Sequence, residues 1–297
     1  MTGQIAVSPI NKVTFRQKLR SYLRRPGSLV LFLLVLGAAA ATFFVLIYLI
    51  GYILVKGIPH LSPALFALKY TSENVSMFPA IINTLGITLT ALVIAVPLGI
   101  FTAIYLTEYA RRGNRLVGVV RITAETLSGI PSIVYGLFGM LFFVTYLKWS
   151  YSLLAGAFTL AIMILPLIMR TTEEALLSVP DSYREGSFGL GAGRLRTVFR
   201  IILPSAMPGI LSGVILAIGR IVGETAALIY TAGSVAEIPR KGLMGSGRTL
   251  AVHMYALSSE GLYTDQAYAT AVVLLIVVLL INGLSSLAAK KLTKEKS

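Results

Sequence analysis

From Leu29 to Val55 the chain reads LVLFLLVLGAAAATFFVLIYLIGYILV, 27 residues without a charged side chain. A helix that crosses a hydrocarbon core of about 30 Å needs roughly 20 apolar residues at 1.5 Å each, so this run is long enough to span. It also far exceeds the roughly 7 to 15 residue apolar region of a secretory signal, and it reads as a retained helix. The same template finds five further runs: Phe78 to Leu106, Thr126 to Leu147, Trp149 to Met169, Ile201 to about Ala232, and Ala267 to Ala289. The expected fold class is all-α, a polytopic membrane protein with about six transmembrane helices.

Composition agrees with that reading. Of 297 residues 56% are hydrophobic and 13% charged, with a mean hydropathy of +0.82, values that exclude an ordinary soluble domain. The 26 Lys and Arg against 12 Asp and Glu would point to nucleic acid in a soluble protein. Here 19 of the 26 lie before Leu29, in 107–125, in 170–200 and in the last residues, which places both termini and those two loops in the cytoplasm of a bacterial inner membrane. The expected surroundings are membrane lipid, with no nucleic acid. The absence of cysteine removes disulfides, thiolate metal sites and a Cys nucleophile. His60 and His253, far apart and without His-x-x-x-His spacing, read as ordinary loop histidines and give no metal site. Pro97, Pro131 and Pro166 fall inside apolar runs and mark kinks, which either shape packing or surround a pathway.

The loop after the fourth run carries the most specific pattern: Glu185, Gly186 and Ser187, then Gly191, then Ile201, Leu203 and Pro204. Residues Asp181 to Gly191 can form a short helix along the membrane surface, closed by a glycine in a left-handed turn. The spacing resembles the EAA loop of ABC importer permeases, with a Gly six residues after the Glu, nine more residues, then Ile-x-Leu-Pro. Gly186 and Ser187 replace the two alanines and keep the side chains small. The resemblance implies that this knob sits in a groove of a separate cytoplasmic ATPase. The plain alternative is a solvated amphipathic loop.

Arg220 and Glu224 interrupt the fifth run. An Arg near the bilayer centre costs on the order of 3 kcal/mol, and counting from Pro208 places Arg220 roughly 18 Å into the span. Spacing i, i+4 would set Glu224 on the same helical face. Two readings stay open: an ion pair that fixes packing, or an Arg that attracts an oxyanion while the Glu positions it. At the cytoplasmic end of the fourth run, Arg170 with Glu173 and Glu174 is either a boundary charge cluster or an exit site for the same ion. Arg121 and Glu125 admit the same pair of readings. Gly242, Gly247, Arg248 and Thr249 follow P-loop spacing with Arg in place of Lys; no strand is expected before them, and the stretch reads as a flexible external connection.

Ala217 to Thr231, Gly129-Ile130-Pro131-Ser132-Ile133-Val134-Tyr135-Gly136, Tyr105-Leu106-Thr107-Glu108-Tyr109 and Ala267 to Asn282 together resemble the phosphate-transporter permeases of the PstA and PstC type, the C-terminal third resembling PstA. The likeness runs from about Thr71 onward. It implies a type I ABC importer permease (MetI-like) core at 71–289, with a coupling loop at about 173–204. Ahead of that core stand a basic cytoplasmic tail at 1–28 and a first helix with its external loop at 29–70; a second basic tail follows at 290–297. It further implies a PstC-like second permease, two copies of a PstB-like ATPase and a periplasmic PstS-like phosphate-binding protein. ATP and magnesium would sit on the ATPase, leaving no cofactor and no catalysis in this chain. Other readings are a permease for sulfate or molybdate, and a channel or secondary carrier, which the knob disfavours. A membrane enzyme lacks paired catalytic carboxylates, a metal cluster or a nucleophile triad here.

Overall fold

The structure is a computed structural model that describes residues 26–111 and 113–294; the basic residues ahead of Pro26 and the last three residues lie outside them. The chain divides at Val55 and Lys56 into two compact units. The first carries most of helix α1, Pro26–Gly57. Proline is tolerated at the first helical position because its missing N–H would have no partner there. Leu34, Phe43, Phe44 and Val45 are all exposed, as lipid allows and water would not. The hydroxyl of Thr42 donates to the Ala38 carbonyl at 2.9 Å, so that donor is satisfied within the helix.

In the second unit the elements are α2 (Phe78–Ile104, prolonged by a wide turn over Tyr105–Tyr109), α3 (Arg115–Ser128) and α4 (Ser132–Gly139, prolonged over Met140–Tyr146). Next come α5 (Leu153–Leu177), α6 (Asp181–Gly189), α7 (Arg194–Thr197) and α8 (Leu203–Val222, entered through Val198–Ile202). The chain finishes with α9 (Ala226–Ile229), α10 (Leu250–Glu260) and α11 (Thr264–Lys294). No strand occurs among the described residues.

Helix α5 is the centre. Of its apolar stretch 67% is buried, against 39% for α2, 33% for α8 and 28% for α11. Small residues permit this. Gly209 and Gly213 lie one turn apart on α8, where a Cβ would run into Ala175 and Thr171 of α5; on α2, a Cβ at Gly99 would stand 2.7 Å from the Ile168 side chain. Backbones approach closely at such positions and gain dispersion contacts that lipid cannot supply. Ile87, Leu160, Ile164 and Ile221 belong to one core cluster, and Leu176, Ile202 and Ile210 to a second around the C-terminal end of α5.

Three expected spans are corrected. The third is a helix pair, α3 and α4, bent by 102°. Pro131 has no N–H to continue the ladder and pushes Ile130 out of helical conformation. The corner is stapled by the Tyr135 hydroxyl, which donates to the Leu127 carbonyl at 2.8 Å. The fourth starts at Leu153, after a turn in which Lys148 and Ser150 adopt left-handed φ of 56° and 58°. Trp149 therefore sits outside the helix, stacked on Phe143 at 5.3 Å. The fifth run ends as a helix at Val222, with Gly223 as its cap. Pro97 and Pro166 remain inside α2 and α5.

The Gly-rich stretch before α10 is not the open connection its composition implies. Gly247, Arg248 and Thr249 are buried, Asn83 of α2 donates to the Arg248 carbonyl at 3.2 Å, and the Thr249 hydroxyl caps α10 by accepting from the Val252 N–H. His253 is likewise no loop residue. It is fully buried in α10, edge-on to the Tyr70 ring at 6.2 Å, while the Arg248 guanidinium lies over that ring at 4.8 Å. Burial first, and the Arg248 charge second, push His253 down to about 3, against a weaker opposite pull from the Val75 backbone.

The folded state thus holds His253 neutral where the unfolded chain would protonate it near its ordinary value. Its contribution to stability is complete above about pH 6.5 and shrinks as pH falls from there towards 3. Thermal unfolding of the detergent-solubilised protein between pH 8 and 4 should show a falling midpoint, and His253→Phe should flatten that acid limb; parallel limbs in the two proteins would refute the assignment.

Candidate functional site

Arg220 stands in the last turn of α8. A cation there gains about 0.3 to 1 kcal/mol from the helix dipole, less than the roughly 3 kcal/mol that burying it in a membrane costs. The remainder calls for an anion. Glu224 does not supply it: the helix has ended two residues earlier, at Val222, and the Glu224 carboxylate turns to accept the Ala227 N–H at 3.1 Å, capping α9. The expected i, i+4 ion pair is therefore absent, because Gly223 breaks the helical spacing on which it depended. Arg220 is half-buried and has no ion pair or hydrogen bond among the described residues. The Tyr135 hydroxyl, at the α3–α4 corner, lies within its electrostatic reach.

Where α3 meets the C-terminal part of α5 the charges pair across helices. Arg121 bonds Glu173 at 2.5 Å, and Arg170 faces Glu125 at 3.9 Å. With Glu174 and Leu177 these residues line a cavity of about 240 Å³. The two pairs differ in kind. The Glu173 side chain is 10% exposed, so its bond to Arg121 ties α3 to α5. Glu125 is 71% exposed, so its long contact with Arg170 is worth little in water. Read from sequence, Arg170 and Glu173 share a site and Arg121 and Glu125 form another; folding exchanges the partners and merges the sites. Among the described residues no group of His, Cys, Asp or Glu could hold a metal.

The loop after α5 forms a short helix, α6, followed by a turn at Gly191 with φ of 79°. Glu185, Gly186 and Gly191 are exposed, and Leu190 at the tip is 91% exposed. Ser187 is buried instead, its hydroxyl 2.8 Å from that of Thr197 on α7, a residue that sequence reading passes over. Ile201 and Leu203 pack on the core cluster around Leu176 and Ile202, and Pro204 occupies the first turn of α8, where proline is tolerated. The motif thus divides into an exposed knob and a buried root.

Comparison with known proteins places this arrangement. The probable ABC transporter permease protein YqgI of Bacillus subtilis (strain 168) is 34% identical over 86% of this chain and 94% of its own length. The phosphate transport system permease protein PstA of Pasteurella multocida (strain Pm70) is 38% identical over 80% and 86%, and that of Haemophilus influenzae (strain ATCC 51907 / DSM 11121 / KW20 / Rd) 31% over 90% and 95%. A chain in the crystal structure of a bacterial alginate ABC transporter, in complex with its alginate pentasaccharide-bound periplasmic protein, superposes with a TM-score of 0.67 at 16% identity, over 93% of this chain and 99% of that one. A chain of the inward-facing MetNI methionine ABC transporter gives 0.56 at 22%, over 78% and 100%. At these identities the structures speak for the MetI-like fold alone. The model of one family matches residues 95–294, and on that match and the relatives together the chain belongs to the binding-protein-dependent transport system inner membrane components.

Proposed function

We propose that this chain is the transmembrane permease subunit of an ATP-driven importer for inorganic phosphate. The observation that carries the reading is Arg220, a half-buried guanidinium at the end of α8 that has no carboxylate beside it. A planar donor fork of this kind is best satisfied by an oxyanion. The relatives named as phosphate transport system permeases, 31% to 42% identical, support phosphate as that ion.

The path is shared with a PstC-like second permease. The exposed segment from Glu185 to Gly191 docks on one of two PstB-like ATPase copies, which hold the ATP and magnesium. A periplasmic PstS-like protein delivers the ion from outside, and both termini lie in the cytoplasm. The chain itself is not an enzyme and carries no cofactor. Closure of the ATPase pair moves the knob and the helices rooted in it, alternating access to the path. Phosphate passes Arg220 and leaves beside Arg170, whose loose contact with Glu125 is readily exchanged for an anion. Glu173 keeps α3 seated through Arg121. Weak, transient contacts suit a path, because an ion held tightly would not leave.

Proteoliposomes carrying the assembled complex should take up labelled phosphate only with ATP, and Arg220→Gln should lower uptake at least tenfold, since a hydrogen bond to a charged group is worth about 1.5 to 3 kcal/mol. A native complex that hydrolyses ATP without accumulating phosphate would overturn the choice of ion and direct the assay to sulfate and molybdate. Gly191→Val places a branched side chain at a left-handed φ, a strain of about 1 to 2 kcal/mol, and should reduce co-purification of the ATPase. Gly186→Ala, in open space, should leave it unchanged. Equal recovery with both variants would remove the knob from the contact.

A further inference from the structure

Helix α6 is nine residues long and buries only Ser187, so apolar packing does not hold it. Its ties are polar. One is the Ser187–Thr197 contact described above. The other is Arg184, whose guanidinium spends all three nitrogens on three separate elements. Nε donates to the Glu108 carboxylate at 3.2 Å and Nη2 to the same carboxylate at 2.7 Å. Nη2 also donates to the Leu176 carbonyl at 3.0 Å, and Nη1 to the Val179 carbonyl at 2.8 Å. Nη1 reaches Asp181, in the first turn of α6, at 3.1 Å.

Glu108 belongs to the wide turn that ends α2, Leu176 to the last turn of α5 and Val179 to its exit, where carbonyls lack helical partners. One side chain therefore closes the end of α5, grips the end of α2 and braces its own helix. The pair is sheltered, with side-chain exposures of 16% for Arg184 and 9% for Glu108. The hydrogen bond it donates to Glu108 holds the guanidinium above its ordinary range although burial opposes it. Only an arginine can do this: five donors in a fixed planar fork reach acceptors on different sides, whereas the three donors of a lysine radiate from one atom. On its other side the pair borders a cavity of about 640 Å³, lined also by Arg111, Asn114 and Arg121, so no packed wall limits how α6 could tilt.

We infer that Arg184 is a positioning residue which fastens α6 to the ends of α2 and α5, so that the three move as one lever when the ATPase displaces α6. The inference rests on α6 as the ATPase contact, and it is independent of which ion is carried. Without the fastening, α6 would follow the ATPase while α2 and α5 stayed behind, and hydrolysis would continue without transport.

The chain has no cysteine, so two introduced thiols are unique to it. Spin labels at Ser182 on α6, which is exposed, and Thr102 on α2, which is half-buried, report the joint in the complete complex, without nucleotide and after trapping with ATP and vanadate. The native chain should give the same narrow distance in both states. Arg184→Gln should broaden it and make it state-dependent, with ATP hydrolysis retained and ions moved per ATP lowered at least tenfold. Arg184→Lys should restore little of that ratio. A native distance that changes between the two states overturns the inference outright, as does an Arg184→Gln complex with the native ratio. If Arg184→Gln does not assemble, Glu108→Gln, which removes one anchor and leaves the carbonyl partners, is read by the same ratio. Absence of phosphate uptake by the native complex would sink the phosphate reading alone, since the distances are measured without the ion.

Discussion

The close seat of two helices on α5 is the constraint on which the other features depend. In lipid there is no hydrophobic gain from bringing apolar helices together, so association comes from dispersion at short range and from polar groups with no other partner. Gly209 and Gly213 of α8, facing Ala175 and Thr171, remove the side chains that would hold the backbones apart, and Gly99 does the same for α2. With α2, α5 and α8 fixed in this way, the ends of α2 and α5 come near enough for one guanidinium to reach both. At its far end α8 stops at Val222, capped by Gly223, which leaves Arg220 without its expected carboxylate.

Much of this is legible in the sequence and some is not, for physical reasons. Span number and approximate position follow from length and charge alone, since a charge-free run above about 20 residues has few other fates. The short helix and left-handed glycine of the coupling segment are local features, and local spacing reveals them. Breaks inside apolar runs are harder to see: Gly129 with Pro131 and Gly223 end helices there, whereas Pro97 and Pro166 do not, and composition alone does not separate the two cases. Charge pairing is least legible. Arg121 finds Glu173 and Arg170 finds Glu125 because α3 lies against α5. Arg184 reads as one more solvated charge beside Glu185 until its partner 76 residues earlier is brought to it.

Among the described residues the charges meet different fates. Some are paired firmly, as Glu108 with Arg184, and some loosely, as Glu125 with Arg170. Arg220, inside an apolar run, has no ion pair or hydrogen bond. Arg248 and His253 are crowded together around Tyr70, where burial and the Arg248 charge keep His253 neutral. A matched set of donors and acceptors gives a rigid joint, and competition from water gives an exchangeable contact.

Leu190, 91% exposed at the tip of the turn after α6, has a consequence for the life of the subunit in the cell. Tyr183 and Phe188 of the same segment are exposed as well, and apolar side chains displayed together form a surface that chaperones and proteases recognise. Docking of the proposed kind would cover that surface, and copies made without their partner would keep it open.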